Sequence, residues 1–389
     1  MAAAASDPLD DVLPADPGAI MVGRLFDPAV GPCVVTVREG QFVDLTALSP
    51  TVSALLDRDD LREVVRTAPG GRRWSVAEVA LASRNRDTTV SHLLAPIDLQ
   101  VIKAAGVTFV RSLLERVIEE RAKGDPTGAA AVRQRLVDAL GSALSDLEPG
   151  TAKAMKVKDT LVAEGLWSQY LEVGIGPDPE VFTKAPVLSS VGYGAAVGVL
   201  ERSTWNNPEP EVVLVVNGQG SVVGATLGND VNLRDVEGRS ALLLGTAKDN
   251  NASCSIGPLI RICDGHFGLP AIRELDVEMR IEGEDGFVLG ETSSMREMSR
   301  SLPQLVSHVY GRHHAYPDGF VLFTGTMFAP TRDRNVPGQG FTHAPGDVVT
   351  IANPALGRLV NVVTTSEDAP RWQWGIGQLM SNLAERGVL

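Results

Sequence analysis

Two glutamates, Glu209 and Glu211, stand on either side of one proline, immediately before the apolar run Val212 to Val216. A run of that kind reads as a strand covered on both faces. Residues two apart on a strand project the same way, so both carboxylates point to one side at the end of a core. Two negative charges there must be protonated, paired with cations, or bound to a metal. The segment Asn217-Gly218-Gln219-Gly220 is a turn signal, and Ser221 to Thr226 reads as the returning strand. A four-residue loop sets Glu211 opposite about Thr226 and Glu209 opposite about Gly228, with Asp230 just past the strand end. Three carboxylates then converge without any long-range assumption. Hard oxygen ligands with no histidine or cysteine nearby suit Mg2+, with Mn2+ as a substitute, whereas zinc prefers nitrogen or sulfur. The residues alone leave a second option open, a solvated strand start with Pro210 marking an edge.

Other candidate chemistry is weaker. His92, His266, His308 and His343 are dispersed, His313 and His314 are adjacent, and no HExxH motif exists. They read as structural or surface groups. The glycines between Gly192 and Gly198 brush against a dinucleotide fingerprint, but the spacing is wrong and no βαβ context surrounds them. A glycine-rich strand connection is the better reading, and no nucleotide cofactor is expected.

The elements that must position the carboxylates follow from periodicity. Residues 1–19 are alanine-rich, then acidic and proline-rich, and read as a disordered tail rather than a signal peptide. From Ile20 to about Thr46 short strands alternate around a Glu39-Gly40 turn. Ser49-Pro50-Thr51 then opens a short helix with proline in its first turn. Residues 20–97 are expected to form a small N-terminal α+β domain. Residues 107–170 are helical by period: Val110, Leu113, Leu114, Val117 and Ile118 make an amphipathic stripe, with Ser112, Glu115 and Glu119 on a polar, solvated face. Gly124-Asp125-Pro126 breaks this helix, a second runs over roughly 128–145, and a third precedes Trp167. From about Glu172 the texture is short β-rich runs with Gly, Pro and Asn punctuation, interrupted by one helix near Leu302 to Val309. The expected fold class is α+β, mostly β.

The 389 residues carry a net charge of −13, which argues against nucleic-acid or anionic-membrane partners. No apolar stretch approaches membrane-spanning length. Three scattered cysteines, Cys33, Cys254 and Cys263, fit a reducing, cytoplasmic compartment rather than a disulfide framework.

Several motifs together resemble the fumarylacetoacetate hydrolase superfamily. These are Pro208-Glu209-Pro210-Glu211, the segment Gly228 to Asp235, Lys248, Gly325-Thr326, Gly346-Asp347-Val348, Gly357 to Asn361, and Phe182-Thr183-Lys184-Ala185-Pro186. Within that superfamily, runs such as WSQYLEV, WNNPEPEVVL, LGNDVNLRD and AKDNNASC look most like the bacterial 2-keto-3-deoxy-D-pentonate (xylonate or arabonate) dehydratases. The resemblance implies a mixed β-roll catalytic domain over residues 98–389, with residues 107–170 as a helical lid, and a homodimer or higher oligomer. Hydrolase members carry a histidine–glutamate dyad on that helix; here Ser112 stands at the histidine position and Glu115 at the glutamate position.

The implied reaction is Mg2+-dependent dehydration of a 2-keto-3-deoxypentonate, a small sugar acid, to 2,5-dioxopentanoate. The resemblance implies Glu209, Glu211 and Asp230 as ligands, with Arg234 and Asp235 supporting them. Lys248 is then the expected base, its pKa lowered by burial and a neighbouring dication, and Glu115 the expected acid, though the two roles are exchangeable. Thr326, Ser112, Lys184 and Asn207 are expected substrate contacts, with Trp205 and Asn206 beside them at the polyol end. Two alternatives stay in play: an acylpyruvate-type C–C hydrolase on the same scaffold, and a non-catalytic keto-acid or metal-binding protein.

Overall fold

The structure is a computed structural model that describes residues 11–123, 125, 147–163, 165, 167–328, 330–334 and 337–389. The expected helix over 128–145 and the first ten residues of the expected tail lie outside the described residues.

In chain order the strands are β1 (Met21–Asp27), β2 (Gly31–Arg38), β3 (Gln41–Asp44), β4 (Arg73–Ser75), β5 (His92–Leu93), β6 (Val101–Gly106), β7 (Glu180–Ala185), β8 (Ala196–Val199) and β9 (Asn206–Asn207). They continue as β10 (Pro210–Val216), β11 (Val222–Asp230), β12 (Asn232–Leu233), β13 (Cys254–Ile262), β14 (Asp276–Glu282), β15 (Val288–Ser294), β16 (Phe320–Phe323), β17 (Val348–Asn353) and β18 (Gly357–Thr365). One large sheet runs β4-β3-β2-β1-β13-β11-β10-β16-β6-β7, with β5 beside β1. A second runs β15-β14-β17-β18-β8, and β9 pairs with β12 in a short ribbon. Most neighbours are antiparallel; β16–β6 and β18–β8 are parallel, so both large sheets are mixed.

Strand β10 shows why the apolar run is unbroken. Val212, Leu214 and Val216 enter one core with Val349, Ile351 and Leu359 of the second sheet. Val213 and Val215 enter another, with Val52, Leu55, Leu56, Val64 and Val65 of two N-terminal helices. Each face of the strand has its own cover, so neither can be polar. Strand β14 is the contrast: Val277, Met279 and Ile281 are buried and alternate with exposed residues, as expected for a strand covered on one side.

Residues 20–97 contribute β1 to β5 to this same large sheet, through pairing of β1 with β13. Glu39 and Gly40 both adopt positive φ (51° and 72°), as a tight hairpin turn requires. The short helix covers Val52–Leu56; Thr51 is its cap, accepting from the Ala54 amide, so Pro50 lies just outside it. The assignment of residues 11–19 to a disordered tail is corrected. Asp11 and Val12 are fully buried, because the Asp11 carboxylate accepts from the Tyr193 hydroxyl at 2.8 Å and pairs with Arg84 at 3.0 Å.

The amphipathic helix spans Val110–Arg121, and Leu113, Val117 and Ile118 pack with Leu161, Tyr170, Leu171 and Ile175 from the helices Ala152–Ala163 and Gln169–Ile175. Its other face is not solvated: Ser112, Glu115 and Glu119 are all buried. Helix Leu302–Val309 lies where the sequence placed it. A C-terminal helix, Ile376–Glu385, was not anticipated; it docks through Leu379 and Leu383 against Leu188. Among the described residues no helix is long and apolar enough to cross a membrane.

Candidate metal centre and active site

The β10–β11 hairpin closes later than a four-residue loop allows. Val216 pairs with Val222, and an irregularity follows, with Val215 opposite Gly224. Together these move the register by two residues, so Glu211 lies opposite Gly228 rather than Thr226. A shift of two leaves every side chain on its own face. It also draws Asp230 directly opposite Glu209, whose carbonyl accepts the Asp230 amide at 3.0 Å. Glu209, Glu211 and Asp230 each offer an oxygen, all within 4.8 Å of one another. They are 1%, 1% and 2% exposed, which excludes the solvated strand start.

Three cations surround the cluster. The Lys248 ammonium lies 2.6 Å from Glu209 Oε2 and 3.1 Å from Asp230 Oδ2. Lys184 lies 2.9 Å from Asp230 Oδ1, and Arg116 binds Glu209 Oε1. Lys184 owes its aim to a bulge: Ile102 pairs with Ala185 and Lys103 with Thr183, leaving Lys184 between them out of the ladder. Glu211 has no such cation in ion-pair reach among the described residues. Its Oε2 accepts the Gly325 amide at 2.7 Å and its Oε1 the Thr326 hydroxyl at 3.4 Å. Gly325 can point that amide because it sits at φ 109°, where a side chain would collide with Thr108.

The charges respond accordingly. Burial, then Asp230 and Glu209, push the Glu211 carboxyl well above its ordinary range. Burial also opposes the Asp230 charge, but Lys184 and Lys248 outweigh it and hold that carboxyl below its usual value. For Lys248, burial lowers, yet Asp230, Glu209 and Glu237 together raise the ammonium above its ordinary value. Among the protein's own groups the surrounding carboxylates thus outweigh desolvation; the lowering expected from the sequence invoked a neighbouring dication as well. The donor set fits a hard divalent cation: three converging carboxylate oxygens, no nitrogen or sulfur donor among them, and one carboxylate, Glu211, with no cation in ion-pair reach among the described residues.

The remaining candidates divide. Thr326 borders the site through Glu211. Glu115 is buried one residue before Arg116, on the helix that reaches Glu209. Ser112 donates to the Phe109 carbonyl at 2.9 Å, one turn back in its own helix. Lys184 is fully buried, lies 2.9 Å from Asp230 and donates to the Val231 carbonyl at 3.3 Å. Asn207, Asn206 and Trp205 are buried and have protein partners. Asn207 spends its amide on the Pro208 carbonyl and on Arg234; Asn206 bonds Ser203 and the His343 amide; Trp205 lies buried under the Arg234 guanidinium. Arg234 ties Asn207 to Glu119, at 2.9 and 3.1 Å. Asp235 fixes the turn before Trp205 through Ser203 and Thr204, both at 2.8 Å.

The sequence did not flag Arg116, which pairs with Glu119 at 2.7 Å and Glu237 at 3.0 Å besides Glu209. Nor did it flag Glu180. This half-buried carboxyl opens β7 and sits over Gly106, where a side chain would collide with it. Burial, then Glu237, raises it to about 7, against the pull of Arg116 and Lys248. Phe182, two residues on and therefore on the same strand face, lies with its ring 6.0 Å from the Lys248 ammonium. The signal was available as a period-two pair beside Lys184.

A probable 2-keto-3-deoxyxylonate dehydratase of Haloferax volcanii is 38% identical over 200 residues, 50% of this chain and 64% of that protein. A 2-dehydro-3-deoxy-D-arabinonate dehydratase of Saccharolobus solfataricus is 30% identical over 185 residues, 48% of this chain and 58% of that protein. The chain thus covers less than two thirds of either relative's length. A solved 2-keto-3-deoxy-D-arabinonate dehydratase in its apo form superposes with a TM-score of 0.62 at 20% identity, covering 89% of this chain and 99% of that one. The same enzyme complexed with magnesium and 2,5-dioxopentanoate gives 0.61 at 21% identity and the same coverage. These superpositions establish a shared fold. Residues 175–364, the stretch that carries all three carboxylates and Lys248, match the fumarylacetoacetate (FAA) hydrolase C-terminal family.

Proposed function

We propose that the chain is a metal-dependent hydro-lyase that dehydrates a 2-keto-3-deoxypentonate to 2,5-dioxopentanoate. The observation that carries this reading is the buried oxygen-only triad, with Lys248 between Glu209 and Asp230 and a carboxyl raised to about 7, Glu180, on β7 in the field of Lys248 and Glu209. The names of the two curated relatives point to the same substrate class. Glu209, Glu211 and Asp230 would hold Mg2+, or Mn2+ in its place. When bound, the ion supplies Lewis-acid polarisation of a 2-keto carboxylate, which acidifies C3.

The chain's own groups do the rest. A base takes a proton from C3, and an acid delivers one to the departing C4 hydroxyl, so that water leaves and a C3–C4 double bond forms. A proton then moves from C5 to C3, and the resulting C5 enol collapses to the aldehyde. Lys248, held as an ammonium, suits the donor role or the steadying of developing negative charge. A carboxyl near 7 suits the base, so Glu180 joins Glu115 as the candidate partner, with the lid helix Val110–Arg121 closing over the substrate. Thr326 would meet the substrate carboxylate. Ser112 offers no imidazole, which weighs against a water-activating dyad and hence against C–C hydrolysis.

The test is a coupled-dehydrogenase or semicarbazide assay for 2,5-dioxopentanoate from racemic 2-keto-3-deoxypentonate, with and without EDTA. Product that appears equally in both arms would remove the metal from the reaction; no product in either would remove the substrate assignment. A homodimer or larger assembly, checked by light scattering, and a reducing cytoplasmic setting, consistent with three free cysteines, complete the proposal.

A further inference from the structure

Glu180, Gly106, Gly325 and Glu211 form one row across the large sheet. Gly106 pairs with Glu180. Phe323 pairs with Val213 on one side and Ala104 on the other, so counting two residues on from it sets Gly325 between Glu211 and Gly106. The Gly325 amide does reach Glu211 Oε2, at 2.7 Å, and a side chain on Gly325 would come 3.2 Å from the Ala105 carbonyl. Partners in a row project to the same face. The outer two are carboxyls and the inner two are glycines, so no side chain of the row stands between Glu180 and Glu211. Glu180 lies down in that gap. A methyl carbon on Gly106 would collide with Glu180 Oε2 and lie 2.7 Å from its Cδ and 3.3 Å from its Cγ. The carboxyl therefore leans from the edge strand β7 across β6.

We propose that Gly106 is a positioning residue, whose missing side chain is the seat that holds the Glu180 carboxyl over β6 on the triad's side of the sheet. This rests on the reading of Glu180 as a proton-transfer group and adds what places it. The backbone under the seat is held. Gly106 is tied into the β6–β7 ladder, and two residues on, the Thr108 hydroxyl donates to the Thr324 carbonyl at 2.6 Å while the Thr108 carbonyl accepts the Ser299 amide at 2.8 Å. Gly106 is not among the residues at positive φ, so alanine suits its backbone. The three atoms nearest to an added methyl all belong to the outer part of one flexible side chain, so Glu180 must yield rather than the strand. Charged and titratable groups face this carboxyl from every side: Arg116 on Val110–Arg121, Glu237 on Arg234–Glu237, Lys248 on Leu244–Lys248, Glu209 before β10, and Tyr170 on Gln169–Ile175. A carboxyl that leaves the seat changes its distance to all of them, so its titration reports the seat without turnover.

The experiment makes Gly106→Ala and Glu180→Gln singly and together. In EDTA-stripped protein with carbon-13-labelled glutamate, the Glu180 signal, assigned by its loss in Glu180→Gln, should titrate at about 7. In Gly106→Ala it should move down by about one unit or more as burial is relieved. With 2-keto-3-deoxypentonate and Mg2+, kcat of Gly106→Ala should fall by about a hundredfold, the scale of a misplacement of about 1 Å, while Mg2+ affinity stays near the wild-type value. In the Glu180→Gln background the same alanine should cost less than about twofold, since the group it misplaces is already gone. An unmoved Glu180 titration, full turnover in Gly106→Ala, or an equal loss in both backgrounds overturns the proposal. Gly106→Ala protein that fails to fold overturns it too, because the collision would then fall on the backbone. A titration that moves in a chain whose wild type turns over nothing supports the seat and sinks the functional reading instead.

Discussion

Glu180→Gln is the sharpest perturbation, because one substitution moves two independent readouts. In the folded chain the Glu180 carboxyl is raised from 4.5 to about 7, first by burial and then by Glu237. Between those values the folded state holds a proton that the unfolded state has released, so stability falls as pH rises through that interval. The shift of roughly 2.5 units corresponds to about 3 kcal/mol, and it is lost in full only above about pH 7. Glutamine of similar shape carries no charge. The variant's stability relative to wild type should therefore climb by about 3 kcal/mol between pH 4 and pH 8, read from urea unfolding in EDTA. The second readout is kcat/KM. If Glu180 takes the C3 proton, the wild-type rate rises along an acid limb at or below pH 7, lower when a divalent ion adds its field. The variant should then lose about a hundredfold or more in rate, together with the limb. A stability difference that stays flat with pH refutes the raised carboxyl. An intact limb in the variant refutes the proton transfer.

Three further predictions follow from the site and its surroundings. Glu115→Gln and Lys248→Met should each lower kcat by about a hundredfold, and a variant with unchanged turnover removes that residue from the chemistry. Gly325→Ala, at φ 109° and against Thr108, should cost about 2–3 kcal/mol in thermal unfolding and weaken Mg2+ binding, because the Glu211 amide partner moves. Asp347 is held at about 2 by His343, Arg334 and the Ala344 amide, which outweigh burial. Its contribution, about 2.5 kcal/mol, is fully present above about pH 4 and fades as pH falls through 2; Asp347→Asn should abolish that part of the acid-unfolding slope.

Much of the site was legible because it is local. The Glu209-Pro210-Glu211 segment, the turn after Val216 and the return to Asp230 lie within one hairpin, so period and turn chemistry sufficed. The register was missed by two, since a late turn and an irregular pair near Gly224 leave no mark in the sequence. Polar and aromatic residues beside a site look alike in sequence whether they face a ligand or brace the backbone, and the Asn207 bonds to Pro208 and Arg234 were not legible there. Arg116 and Glu119 escaped for a different reason. A polar stripe at helical spacing reads as a wet face, and the groups that bury it, Glu209 and Glu237, lie far along the chain. The Lys184 bulge arises between two strands that are themselves distant in sequence. Helix Ile376–Glu385 was hidden by the β-rich texture preceding it.

Strand β10 has a consequence for how the chain finds its fold. Both of its faces are oily, so sliding the strand by one position against its neighbours exchanges valines for valines. Greasiness therefore cannot tell the right alignment from the wrong one. Two things can: Gly228, which alone leaves room for the Phe323 ring, and the charged end, where Glu209, Glu211 and Asp230 must meet Lys248, Lys184 and Arg116. The residues proposed to do the chemistry also serve as the strand's address, and neutralising them together would blur where β10 docks as well as what it does.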